Sequence, residues 1–208
     1  MSKPIFIEEI KSLEGEYYNL EYHAIRMDRT LRHFFGKAFD HSSLRGFLPD
    51  PPKGKINKCT LIYSDAVLSA ELRPYNLPTI KTMAIVNVDK IDFSYKLEDR
   101  SELKKIREFS GADEVIIARN GFVTNASTAN LVFKDQDGVL HTPLHYIHSG
   151  TKRQYYLKRQ LITTFPIKVS GIYSYNSVYL INAMIDLEDE VGLSTECLSK
   201  MKNYVAKE

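Results

Sequence analysis

Four places in this chain carry residue types and spacings that could do chemistry. Lys96 closes an alternating run, Ile91-Asp92-Phe93-Ser94-Tyr95-Lys96, and shares its polar side with Asp92 and Ser94. A lysine there is ordinarily a solvated surface group. Burial or a neighbouring positive charge would strip its proton and make it a Schiff-base lysine, able to attack an aldehyde. Arg26, in His23-Ala24-Ile25-Arg26-Met27, is either a surface helix arginine or a planar, bidentate grip for a phosphate. Gly150-Thr151-Lys152-Arg153 precedes an amphipathic stretch. Thr151 can simply cap that helix, or the backbone N–H groups at its start can receive an anion. Between residues 123 and 130, Thr124, Asn125, Ser127 and Thr128 are small and polar. They read as a turn, or as a lining of hydroxyl and amide groups for a cofactor.

The elements that position these groups read as a mixed α+β chain. Residues 6–10 and 16–22 have strand character and are split by a turn at Glu14-Gly15. A helix is predicted over 24–35, with Met27, Leu31 and Phe34 on one face. Gly, Pro and Ser signals make 37–58 a loop with a helical turn. Strands are predicted at 59–63, 66–72, 79–88, 91–96, 114–118 and 178–181. Helices are predicted at 101–109, at about 152–165, and at the C-terminus on Leu198, Met201 and Val205. Asn120-Gly121 and Asp137-Gly138 signal two-residue hairpins. Two prolines in Arg73-Pro74-Tyr75-Asn76-Leu77-Pro78 disfavour both helix and central strand, so the boundary falls near residue 77. The expected division is a small α+β domain over 1–77 and a larger domain over 78–208.

Composition excludes several classes. The chain has 208 residues, 28 Lys+Arg against 26 Asp+Glu, and a net charge of +2. That balance argues against a nucleic-acid or anionic-membrane binder. Charged residues at 26% and hydrophobic residues at 43% suit a folded chain rather than a disordered one. No apolar run approaches the ~20 residues a bilayer span needs. Cys59 and Cys197 are far apart and fit a reducing cytosol. The scattered His and Cys show no metal-ligand spacing.

Taken in order, these segments resemble the class IV pyridoxal-phosphate enzymes, which include aminodeoxychorismate lyase and the D-amino-acid and branched-chain aminotransferases. The resemblance runs from about Phe6 to Ile185. Ile7-Glu8-Glu9-Ile10 is similar to the family's "F-E-T" strand, and His23–Met27 to its "H-x-x-R-[LM]". Tyr95-Lys96 matches its lysine strand, Ala112-Asp113-Glu114 its "A-D-E", and Asn120–Asn130 its "N-G-x-[VI]-T-[ED]-x-x-x-x-N". Thr142-Pro143 and Gly150–Arg153 match its "TP" and "G-[IT]-x-R".

The resemblance implies a two-domain class IV aminotransferase-like fold, with a small α+β N-terminal domain and a larger pseudo-barrel domain. It implies pyridoxal 5'-phosphate as cofactor, lying between the domains, with a small-molecule substrate, a homodimer and a cytoplasmic setting. Lys96 would be the catalytic lysine bound to the cofactor. Arg26 would hold the phosphate, with Thr151 and Lys152 completing its cup. Asn125 would face the pyridine nitrogen, and Ser127, Thr128, Asn182 and Ala183 would neighbour the cofactor. Lys96-Leu97-Glu98-Asp99-Arg100 and Asn182-Ala183-Met184 lean toward the lyase branch, which forms 4-aminobenzoate and pyruvate for folate synthesis. An aminotransferase and a non-catalytic relative are the other readings.

Three departures from the family pattern stand out. Asn125 replaces the usual acid beside the pyridine nitrogen. Lys152 replaces the usual phosphate-binding Thr. The chain begins at the family's second strand, so contacts from the first are expected to be absent or replaced.

Overall fold

Strand β1 (Phe6–Leu13) alternates Phe6, Glu8 and Ile10 with Ile7, Glu9 and Lys11. Successive side chains leave a strand on opposite faces, so its two sides differ in chemistry. The structure, a computed structural model, describes residues 3–88 and 92–205. It divides into two compact units: Met1–Leu77 with Tyr95–Asp99, and Pro78–Ser94 with Arg100–Glu208. The return of Tyr95–Asp99 to the first unit is not visible in a single cut near residue 77.

In the first unit, β1 pairs antiparallel with β2 (Glu16–Tyr17) and with β3 (Asn57–Tyr63), and β3 pairs with β4 (Val67–Pro74). The sheet order is β2-β1-β3-β4. Glu14 and Gly15 both take positive φ, 52° and 81°, as a tight hairpin turn needs. Helix α1 (Leu20–Phe35) then covers one sheet face. Ala24, Met27 and Leu31 pack with Phe6, Ile10, Leu61 and Tyr63 into one core. The strand expected over 16–22 stops at Tyr17. Asn19 turns left-handed (φ 59°), and its carbonyl accepts the Tyr22 N–H at 3.0 Å, so the chain enters α1 earlier than predicted. A 3-10 turn at His41–Phe47 supplies the helical turn expected in the loop.

The strand expected over 91–96 does not form. Ile91 lies outside the described residues. The Asp92 carboxylate accepts the Ser94 N–H at 2.8 Å, a local turn that competes with extended pairing. Pairing begins only at Lys96. Its carbonyl accepts the Ile7 N–H at 3.0 Å, and the Glu98 N–H reaches the Ile5 carbonyl at 2.9 Å. The segment thus lies antiparallel beside β1, with Phe6 opposite Leu97.

The second unit holds, in order, β5 (Met83–Asn87), α2 (Ser101–Ser110), β6 (Glu114–Arg119), β7 (Phe122–Ala126), β8 (Asn130–Lys134), β9 (Leu140–Pro143), α3 (Thr151–Lys158), β10 (Thr163–Phe165), β11 (Ser177–Ile181), β12 (Gly192–Ser194) and β13 (Ser199–Asn203). They form two sheets, β10-β9-β8-β11-β12 and β13-β5-β6-β7. Strands β5 and β6 are parallel, and α2 is the crossover that a parallel pair requires. Leu103 and Ile106 of α2 pack on Val86, Val115 and Ile117. Asn120 and Gly121 (φ 50° and 77°) make the expected hairpin between β6 and β7.

Four expectations are corrected here. β5 starts at Met83 rather than Thr79, because the Asp113 carboxylate takes the Lys81 and Thr82 N–H groups at 2.9 and 3.0 Å. The turn at Asp137-Gly138 is longer than two residues, because Asp135 Oδ1 collects the N–H groups of Asp137 and Val139. The helix expected to reach residue 165 ends at Lys158. Gln160 turns left-handed (φ 58°), and Thr163–Phe165 pairs in parallel with β9. The C-terminal helix is instead β13, parallel to β5. Of its supposed apolar face only Leu198 is buried, so helical spacing built no helical face. Among the described residues, no helix is long and apolar enough to cross a membrane.

Candidate active site

Lys96 is held by its neighbours on two sides. Tyr95 stacks on His33 (ring centroids 4.7 Å apart) and meets Phe34 edge-on, pinning the segment to the end of α1. The Lys96 ammonium donates to Glu9 Oε2 at 2.9 Å. The other Glu9 oxygen, Oε1, accepts from Lys58 Nζ at 2.7 Å. The Lys96 side chain is 14% exposed. Burial drives its proton affinity below that of an ordinary lysine, Arg26 adds to the effect, and Glu9 and Glu8 oppose it. Glu9 is held well below the usual carboxylate range, first by the Lys96 charge and then by its bonds to Lys58 and Lys96.

One residue earlier on β1, Glu8 points to the α1 side and is fully buried. Arg26 Nε donates to Glu8 Oε1 at 2.8 Å, and Arg26 Nη2 bonds Glu8 Oε2. His23 Nδ1 lies 2.5 Å from the same Oε2. Burial alone pushes the Glu8 carboxyl up, but Arg26 and His23 outweigh it, and Glu8 stays ionised. Burial pushes His23 down, toward its neutral form. His23 and Arg26 stand three residues apart on α1, so both reach one carboxylate from one helix face.

The second unit gathers its predicted residues through backbone-directed bonds. Asn125 Nδ2 donates to the His148 carbonyl at 3.0 Å, and Asn125 Oδ1 accepts the Ile147 N–H at 2.8 Å. Asn130 Nδ2 donates to the same carbonyl at 2.9 Å, and its Oδ1 accepts the Gly150 N–H at 3.0 Å. Two asparagines therefore clamp the loop that enters α3. A Cβ on Gly150 would overlap the Asn130 oxygen, so glycine is required there.

Glu114 arranges the next turn, accepting from the Ser127 N–H at 3.1 Å and the Thr128 hydroxyl at 2.5 Å. Asn182 Nδ2 donates to the Thr128 carbonyl at 3.2 Å, and Asn182 Oδ1 accepts the Met184 N–H at 2.8 Å. Half-buried Ala183 sits in that turn. Thr151, Lys152 and Arg153 are buried in the first turn of α3, whose N-cap is Gly150 with no capping side chain. The Lys152 ammonium bonds Asp186.

The structure thus joins Lys96 and Arg26 with Glu8 and Glu9 in the first unit. In the second it joins Ser127, Thr128, Asn182 and Ala183 around one pair of turns, and sets Thr151 and Lys152 behind the asparagine clamp. Glu8, Glu9, Lys58, Glu114, Asn130 and Asp186 were missed as site residues. Glu8 and Glu9 carried one signal: adjacent acids in a strand must face opposite sides.

Among solved structures, a Haemophilus somnus protein described as a putative 4-amino-4-deoxychorismate lyase is 27% identical to the chain. The match covers 88% of this chain and 98% of that one, with a TM-score of 0.79. A hypothetical aminotransferase of Mycobacterium tuberculosis, in its PLP-bound form, is 15% identical over 94% of this chain and 81% of that one, with a TM-score of 0.74. The α+β fold is the class IV aminotransferase-like fold. An uncharacterized protein of Haemophilus influenzae is 31% identical over 186 residues, 87% of this chain and 97% of the relative. The chain belongs to the same family as that protein. No family model matches it.

Proposed function

We propose that this chain is a pyridoxal-phosphate-dependent lyase that converts 4-amino-4-deoxychorismate to 4-aminobenzoate and pyruvate. The observation that carries the reading is Lys96, a buried amine whose proton is loosened by burial and by Arg26. The likeness to the Haemophilus somnus structure over nearly its full length supports the lyase branch. So do the segments Lys96–Arg100 and Asn182–Met184.

The residues present fit a phosphate-bearing aldehyde. Arg26 is a buried guanidinium oriented by Glu8, suited to hold a phosphate. In the second unit, taken by itself, Thr151 and Lys152 stand at a buried helix start with no capping side chain, where backbone N–H groups favour an anion. When bound, pyridoxal phosphate supplies an aldehyde and an electron sink. Lys96 is the amine that would hold the aldehyde, and when neutral it would be the base that takes and returns protons. Asn125 brings no negative charge to the ring nitrogen. Elimination that ends in an aromatic ring has its own driving force and tolerates the weaker sink. The reading carries with it a homodimer working in the cytoplasm, supported by the family resemblance alone.

The test is incubation of the protein and cofactor with 4-amino-4-deoxychorismate, following 4-aminobenzoate and pyruvate. Both products at equal amounts support the lyase. A second reading, an aminotransferase, is favoured by the aminotransferase named above. It predicts instead that an amino acid alone changes the spectrum of the cofactor-loaded protein and releases a 2-oxo acid.

A further inference from the structure

Glu9 has a place in the site that neither the reaction nor the fold requires. It sits on β1 opposite Thr60 of β3, with one carboxylate oxygen on Lys96 and the other on Lys58. The two lysines come from different parts of the chain, 87 and 49 residues from Glu9. Both are positioned by the sheet. Lys58 is fixed by the β1–β3 register, and Lys96 by its backbone bond to Ile7. The three side chains are 32%, 14% and 31% exposed for Glu9, Lys96 and Lys58. The pairing is therefore partly shielded from solvent screening, unlike a rim ion pair.

We propose that Glu9 is a positioning residue that sets when Lys96 becomes nucleophilic, with Lys58 as the competing cation that limits its hold. This rests on the reading of Lys96 as the cofactor lysine. One carboxylate shared by two ammonium groups binds each less strongly than it would bind one alone. Glu9 thereby keeps Lys96 aimed and charged in the cofactor-free chain, and Lys58 keeps Glu9 ionised and in place when Lys96 turns neutral and leaves. The other charged groups around Lys96 are fixed. Glu8 lies on the other face of β1, bonded to Arg26 and His23 of α1, and Glu8 and Arg26 act on Lys96 through their charge alone. Among these groups, Glu9 is the carboxylate directly bonded to the Lys96 amine.

Substituting the shared anion and substituting the competing cation shift Lys96 in opposite directions. In Glu9→Gln, Lys96 loses its bonded anion while burial and Arg26 remain, so it loses its proton at lower pH. In Lys58→Met, Glu9 serves Lys96 alone, so Lys96 keeps its proton to higher pH. A merely structural pairing predicts the same sign for both. Either change would loosen the segment, admit water and return Lys96 toward an ordinary lysine.

The experiment is competitive trace acetylation of the full chain with acetic anhydride, between about pH 6 and 11, with Lys96 followed by peptide mass spectrometry. Lys104, exposed on α2, is the internal reference for rate. The expected result is a Lys96 midpoint about one pH unit or more lower in Glu9→Gln, and higher in Lys58→Met. A midpoint unchanged or raised in Glu9→Gln overturns the proposal. If Glu9→Gln does not fold, as its circular dichroism would show, Lys58→Met decides. A rise there supports the proposal, and no change or a fall overturns it. Because no cofactor is added, failure here is distinct from failure of the cofactor reading.

Discussion

Asn125 and His148 are tied in both directions. The Asn125 amide nitrogen donates to the His148 carbonyl at 3.0 Å, and the Asn125 oxygen accepts the His148 N–H at 3.4 Å as well as that of Ile147. The residue that the sequence resemblance sets beside the pyridine nitrogen is therefore committed to holding the loop that enters α3. A carboxylate there would lose the donated bond and set an anion against the carbonyl oxygen.

Asn125→Asp accordingly destabilises the chain rather than restoring a family feature. The His148 carbonyl keeps its bond from Asn130, but losing the Asn125 bond and burying a charge against that oxygen costs about 1–3 kcal/mol. Urea unfolding at pH 7 checks this, and a midpoint equal to or above that of the wild type would show the clamp to be dispensable. If Asn is also sufficient for catalysis, Asn125→Glu gives no large gain in elimination rate.

Gly150→Ala tests the second half of the clamp. The new methyl overlaps the Asn130 oxygen, so Asn130 must swing away and release the Gly150 N–H and the His148 carbonyl. The expected outcome is weaker retention of added pyridoxal phosphate together with a lower melting temperature. Asn130→Ala,Gly150→Ala in combination should cost little more than Asn130→Ala alone, because the two share one contact.

Acid sensitivity should follow Glu8 and His23. His23 is depressed by burial from 6.5, so the stability it contributes is present above about pH 6.5 and lost as pH falls. Glu8 is depressed from 4.5, so its contribution is complete above about pH 5 and lost progressively below. Glu8→Gln leaves the buried Arg26 without its counter-ion, a loss of about 3–5 kcal/mol at pH 7. The gap between wild type and Glu8→Gln should shrink steadily from pH 5 to pH 3. A gap that stays constant would mean Glu8 is not ionised in the folded chain.

Lys152 and Asp186 should respond unequally. Lys152 is nearly buried, with its side chain 5% exposed, while Asp186 is 27% exposed. Removing the acid in Asp186→Asn leaves an ammonium in a poor solvent, whereas Lys152→Met leaves a carboxylate that water can reach. Thermal unfolding should therefore fall further for Asp186→Asn than for Lys152→Met, and the reverse order would contradict the burial argument.

Local signals made part of this molecule legible. The left-handed pair Asn120-Gly121, the apolar spacing of Met27 and Leu31, and the ordered segments around Arg26, Lys96 and Gly150 led to the fold and to these residues. What stayed hidden depends on pairing across long stretches of chain. The alternation before Lys96 is real, but Asp92 closes a turn on Ser94 and only Lys96 onward joins β1. Leu198, Met201 and Val205 have helical spacing, yet β5 offers an open edge and the segment pairs there. Glu9 beside Glu8 looks like a solvated strand acid. Its role emerges only when Lys58 and Lys96 are folded onto its two oxygens. Asp186 likewise meets Lys152 through a turn that no local pattern announces.

Everything proposed for this site turns on Lys96 being the amine that binds pyridoxal phosphate. That assignment is tested by adding pyridoxal phosphate to the purified chain, reducing with borohydride and mapping the labelled peptide. The expected result is a visible absorbance band before reduction and a single adduct on Lys96, absent in Lys96→Ala. No band and no adduct on Lys96, or equal labelling of the Lys96→Ala chain, would contradict it and leave a relative that has the fold without the chemistry.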